Sequence, residues 1–177
     1  MAGKKLELDN TGRTVAENIS RIRKERGLNY TELSKSLSAL KRDIPALAVR
    51  RIEETQRRVD VDDLMAIAAA LNTSPASLLM PRAGAADEPV QTTAMVQPAA
   101  AETVWGWISG DRPVVRYRDD LSDNDQWVEF AHESWPRWKI REMYEHMYEQ
   151  AVEESRREGY DLHELAKQLE ARERGGD

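Results

Sequence analysis

Two arginine pairs, Arg50-Arg51 and Arg57-Arg58, bracket the end of a short apolar segment. Guanidinium is the side chain that grips an oxyanion or a guanine edge with two parallel hydrogen bonds. A surface arginine on a helix is usually just solvated, so the surrounding pattern has to decide. Upstream lie Gly27-Leu28-Asn29-Tyr30-Thr31-Glu32-Leu33-Ser34 and Pro45-Ala-Leu-Ala-Val-Arg-Arg-Ile-Glu53. A short capped helix, a turn and a second helix ending in paired arginines form the minimal device for reading a DNA groove.

Other residues with chemical potential lack the partners they need. His163-Glu164 is followed by Lys167 where a zinc-protease helix requires its second histidine. Glu142 and His146, one helical turn apart, could supply two metal ligands, but no third has suitable spacing, so a solvated helix face is the better reading. There is no glycine-rich phosphate loop and no serine-lysine pattern assignable to self-cleavage. The chain has no cysteine, which removes thiol nucleophiles, disulfides and cysteine-ligated zinc. We therefore expect no enzyme, no catalytic residue, no cofactor and no metal. All five tryptophans fall between Trp105 and Trp138. Clustered ring faces could hold a planar or cationic ligand. Burial is the simpler use, with Trp127, Trp135 and Trp138 as core or interface anchors.

A length of 177 residues with 40% hydrophobic content suits one ordinary domain or two small ones. The net charge of -6 hides a division: residues 1–82 hold 15 Lys/Arg against 11 Asp/Glu, and the remainder 11 against 21. A basic, polyanion-facing module joined to an acidic one is the implied arrangement. The start Met-Ala-Gly-Lys-Lys lacks a signal-peptide core, and stretches such as Ile67 to Leu71 fall far short of the roughly 20 apolar residues of a bilayer span. The expected location is cytoplasmic, with no membrane partner.

The elements that would position these residues follow from caps and apolar spacing. Thr14-Val-Ala-Glu17 is a capping box, predicting a first helix from Thr14 to a stop at Gly27. Val15, Ala16, Ile19 and Ile22 share its inner face, while Arg21, Arg23, Lys24 and Arg26 crowd the outer faces and last turn. Asn29-Tyr-Thr-Glu32 opens a second helix through about Leu37, with Leu33 and Leu37 inward. After a long turn from Ser38 to Ile44, Pro45 starts a third with Val49 and Ile52 inward. Asp60 caps a fourth, with Asp62 and Asp63 in its first turn, Met65, Ile67 and Leu71 in the core and Asn72 ending it. Ser74-Pro75 opens a short fifth that packs Leu78 and Leu79.

Residues of about 14–80 resemble the lambda-repressor-like (Xre/Cro) helix-turn-helix family. The resemblance runs through Ile22-Arg-Lys-Glu-Arg-Gly27, Tyr30-Thr-Glu-Leu33, Arg51-Ile-Glu53 and Ile67-Ala-Ala-Ala-Leu71. It implies a mainly α protein with an N-terminal five-helix DNA-binding domain whose recognition helix runs from about Pro45 to Glu54. On that resemblance Ala46, Leu47, Arg50 and Arg51 lie nearest the major groove. Arg50 is the strongest candidate for a bidentate contact to guanine, and Ala46 or Leu47 for a thymine methyl. Tyr30 would hold a phosphate, with Thr31 in the same binding set, and Arg57 and Arg58 would bind backbone phosphate without reading sequence. Glu53 is expected to be a structural partner for an arginine. The chain departs from the family in its longer turn, Ser36 to Ile44, and at Thr55, where glycine is common.

From Pro81 to Thr103 small residues and prolines suggest a linker. Val104 to Arg118 alternates enough to suggest two short strands, with Trp105 and Trp107 sharing a face. From Pro136 a helix carries an apolar stripe of Ile140, Met143, Tyr144, Met147, Tyr148, Ala151 and Val152 and should end near Gly159. Asp161-Leu-His-Glu164 would cap a final helix with Leu162, Leu165, Ala166 and Leu169, and Arg172 to Asp177 should fray. The expected organisation is a DNA-binding domain at 1–82 that folds alone, a linker at 83–103, and a small α or α+β module at 104–177. That module would self-associate or bind a partner. The expected function is a sequence-specific transcriptional regulator, a repressor acting by operator occupancy, bacterial or phage-encoded and nucleoid-associated when bound. Its partners would be double-stranded DNA and a second copy paired through the C-terminal helices. The alternatives are an antitoxin-like module that grips a protein partner and autoregulates through DNA, and a regulator that senses a ligand through its tryptophans.

Overall fold

Capping side chains mark the starts of five of the eight described helices. The computed structural model describes residues 7–116, 118–159, 162 and 167. It divides into two compact units, one ending at Asp119 and the other beginning at Asp120. The described residues are mainly α, with eight helices and one two-stranded ladder. No described helix is long and apolar enough to cross a membrane.

In the first unit α1 spans Asn10–Glu25, and Asp9, not Thr14, is its cap. Thr14 and Glu17 lie inside the helix, because an aspartate caps at least as well as a threonine and extending a helix costs less than nucleating one. Helix α2 (Tyr30–Ala39) begins at the expected box: Asn29 accepts from the Glu32 amide while the Glu32 carboxylate accepts from the Asn29 amide. Helix α3 spans Ala46–Glu53 after Pro45, α4 spans Val61–Ala70 after Asp60, and α5 spans Pro75–Leu79 after Ser74.

These five helices close over one core in which Ile19, Leu33, Leu37, Ile44, Val49, Ile52, Ile67, Leu71 and Leu78 are fully buried. Met65, expected in that core, is 60% exposed. It lies two residues from Ile67, about 200° around a helix, so it faces away. Asn18 interrupts the apolar face of α1 and is itself buried, its amide donating to the carbonyls of Ser77, Leu78 and Met80. That side chain fixes the end of α5 against α1, because a buried carbonyl needs a donor.

Segment 83–103, read from sequence as a linker, belongs to the first unit. Strands β1 (Pro89–Val90) and β2 (Ala99–Ala100) pair antiparallel, and Val90 packs with Ala101 and Val104 in a second small core. Thr11 and Thr93 exchange hydrogen bonds, each amide donating to the other hydroxyl at 3.2 and 2.9 Å. Small residues disfavour a core of their own but permit close backbone approach to one already formed. The strand expectation for Val104 to Arg118 is overturned at its start by α6, Ala101–Ile108. Ala101, Val104 and Ile108 follow the three-four spacing of a helix face, and the Trp-Gly-Trp alternation masked it. Trp105 and Trp107 therefore point in divergent directions and share no face.

In the second unit α7 (Asp123–Ser134), which sequence reading missed, starts at the cap Ser122, and α8 (Arg137–Arg157) follows Pro136 and stops before Gly159, whose φ is +86°. Trp127 and Trp135 meet edge to face at 5.6 Å, and the Lys139 ammonium sits 3.8 Å from the Trp135 ring centre. Trp138, expected as an anchor, is exposed. The expected final helix and its frayed end fall on 160–177, outside the described residues apart from Leu162 and Lys167.

One backbone position carries a testable cost. Thr55, just past α3, has φ +58°. A β-branched residue is poorly suited to the left-handed region, which glycine enters freely. Thr55→Gly is expected to stabilise the first unit by about 0.5–1 kcal/mol, the relief of strain exceeding the added entropy of the unfolded chain. Chemical denaturation of both forms checks this, and a lower midpoint for the glycine variant would refute it.

Candidate nucleic-acid interface

Helix α3 is seated from below and open above. Val49 and Ile52 lock its inner face into the core, while Leu47, Arg50, Arg51 and Glu54 follow the three-four spacing of the opposite face. Leu47 is 57% exposed beside the two arginines. Ala46 is half-buried at the first turn. The turn before α3 is held from several sides: the Ser34 hydroxyl donates to the Ile44 carbonyl at 2.7 Å, Lys41 takes φ +61°, and Ile44 is buried.

Beneath this surface runs a set of buried charges. Asp63 is 1% exposed and accepts from Arg42 Nε and Arg57 Nη2, both at 2.7 Å. Arg42 also reaches Asp60 at 3.2 Å, which ties the turn to the start of α4. The Asp63 hydrogen bond raises the Arg42 pKa above its already high usual value. Arg23 and Glu53, with side chains 7% and 3% exposed, form a two-pronged pair at 2.6 and 2.8 Å joining α1 to α3. Arg23 also donates to the Leu28 carbonyl at 2.6 Å and lies 4.2 Å above the Tyr30 ring. The hydrogen bond to Glu53 raises the Arg23 pKa despite partial desolvation, so this guanidinium stays charged at any ordinary pH.

The sequence-derived residues thus separate. Leu47, Arg50 and Arg51 come together on one exposed face of α3, with Thr31 exposed in the first turn of α2. Tyr30 is half-buried under Arg23, its ring used in packing. Arg50 Nε donates to Glu54 at 2.7 Å, which raises its pKa. Arg57 is committed in part to Asp63, whereas Arg58 is exposed and, among the described residues, donates a 3.2 Å bond to the Glu7 carbonyl. Glu53 does pair with an arginine, and that arginine is Arg23, read from sequence as lying on the outer faces. Arg23, Arg42, Asp63 and Asn18 were missed as site supports. Asn18 and Arg23 carried a signal, since each falls on the stripe of Val15, Ile19 and Ile22 at helical spacing. Among the described residues no group of His, Asp and Glu is arranged to hold a metal ion.

Arg57 and Arg58 should respond differently to truncation. Arg57→Ala removes one of two cations from a buried carboxylate and is expected to destabilise the unit by about 1.5–3 kcal/mol. Arg58→Ala should leave stability unchanged and lower the salt slope of DNA binding by about one. Denaturation midpoints and binding over a salt series check the pair, and equal stability losses would refute the division of roles.

No protein-family model, curated protein or solved structure matches this chain.

Proposed function

We propose that the first unit binds double-stranded DNA sequence-specifically and that the chain is a transcriptional regulator, a repressor acting by operator occupancy. The observation that carries this reading is the outer face of α3. Leu47, Arg50 and Arg51 project together from a helix whose inner face is fixed by Val49 and Ile52 and whose flank is tied to α1 by Arg23 and Glu53. Rigid support matters, because readout of a base edge fails when the donor is displaced by an ångström or so. The arrangement also resembles the lambda-repressor-like helix-turn-helix, with α3 as recognition helix. Residues 1–82 carry the basic balance such an interface needs, 15 Lys/Arg against 11 Asp/Glu. The reading is of a binding protein, not an enzyme, working in the cytoplasm on the nucleoid. Selection of bound sites from random duplexes tests it: a recurring motif is expected, and uniform, motif-free recovery would overturn sequence specificity.

The proposal extends to a second copy of the chain. On α8, Tyr144 and Met147 are exposed one turn apart, an apolar surface suited to pairing and to a two-fold operator. Met147→Glu is then expected to give a folded monomer in light scattering, with weaker operator binding. A wild-type chain monomeric at micromolar concentration, free and on its site, would refute the dimer. The same face favours the antitoxin-like reading as the second choice, and a small protein co-purifying in stoichiometric amount would mark it.

A further inference from the structure

Glu54 occupies a position that local electrostatics disfavours. It caps the C-terminus of α3, where the helix dipole presents negative charge and a cation would be preferred. Next to it Thr55 sits in the left-handed region. A carboxylate on a face offered to a polyanion adds a second penalty, since it repels phosphate. Glu54 spends its charge on one contact, accepting from Arg50 Nε at 2.7 Å one helical turn away. Both side chains remain accessible, at 57% for Arg50 and 37% for Glu54, so the pair does not serve burial.

The consequence for Arg50 is geometric. A free arginine can meet a guanine either end-on, through its two terminal nitrogens, or side-on, through Nε and one of them. With Nε engaged by Glu54, the side-on approach is disfavoured and the two terminal nitrogens are the pair left to a guanine. The tether also reduces the rotamers that must be frozen on binding. We propose that Glu54 is a positioning residue that holds Arg50 for end-on, bidentate recognition of a guanine and, by repelling phosphate, suppresses attachment to unrelated duplex. This inference rests on the DNA-binding reading above and adds to it a device that raises the ratio of specific to non-specific binding.

Glu54→Gln tests it, in the full-length chain, against a duplex library in which every base of the selected site is varied singly, together with a random-sequence duplex. Affinity for random duplex is expected to rise, while the preference for guanine at the Arg50 position falls by about two-fold, the worth of an exposed pair one helical turn apart, and preferences elsewhere stay unchanged. In an Arg50→Lys background, where bidentate readout is already lost, Glu54→Gln should raise random-duplex affinity without altering any base preference. Circular dichroism confirms that each variant folds. Glutamine still offers Arg50 Nε an oxygen, so Glu54→Ala is measured beside it, and an alanine variant that keeps the full guanine preference overturns the positioning role. If the wild-type chain binds no duplex at all, the function itself falls, and the two failures are told apart by that first measurement.

Discussion

Arg23→Ala is expected to destabilise the first unit by about 3–5 kcal/mol, a large share of the 5–15 kcal/mol that holds an ordinary domain together. The magnitude follows from what remains. Glu53, 3% exposed, is left buried without its two-pronged partner, the Leu28 carbonyl loses its donor, and the Tyr30 ring loses its cover. Arg23→Lys should fall between, since an ammonium keeps the charge but cannot donate through two nitrogens in one plane. Arg23→Met combined with Glu53→Leu should recover most of the loss, because a buried pair exchanged for packed apolar groups is often neutral. Urea denaturation of the four forms, followed by circular dichroism, decides it. A midpoint for Arg23→Ala equal to the wild-type value would show that the pair contributes nothing.

The second large effect is on binding. Arg50→Ala is expected to weaken the preferred duplex on the order of ten- to a hundred-fold and to relax selectivity at one base pair. Arg51 lies on the same face without an ion pair among the described residues, so Arg51→Ala should weaken binding as well. Neither change should alter stability, since both side chains are exposed. Equal loss for Arg50→Ala on preferred and random duplex would remove it from base readout and leave it a phosphate contact.

What the sequence made legible was local. The capping box at Asn29, the cap Asp60 and the Ser74-Pro75 start are self-contained signals, and each of these three helices begins where its cap places it. Asn72 ends α4 with φ +44°, as a short polar residue tolerates. The exposed set Leu47, Arg50 and Arg51 was readable because Val49 and Ile52 fix the phase of α3. What was hidden depended on partners distant in sequence. Arg23 carries no local mark of meeting Glu53 thirty residues on. Asp63 looks like a helix-dipole residue until Arg42 and Arg57 converge on it. The ladder of Pro89 and Val90 with Ala99 and Ala100 carries almost no β-forming residues and exists because the bundle gives it a surface.

The exchange of hydrogen bonds between Thr11 and Thr93 bears on the order in which the protein is made. The two residues are 82 apart, so at ribosomal rates Thr11 leaves the peptidyl-transferase centre roughly 4–16 s before its partner exists. Contacts among α1 to α5 are shorter in sequence and form faster than that, since helices and short loops close within microseconds. A chain ending at Met80 therefore contains all five helices but lacks the partner of Thr11, and the first turn of α1 gains its clasp only once the segment leading to α6 has been made.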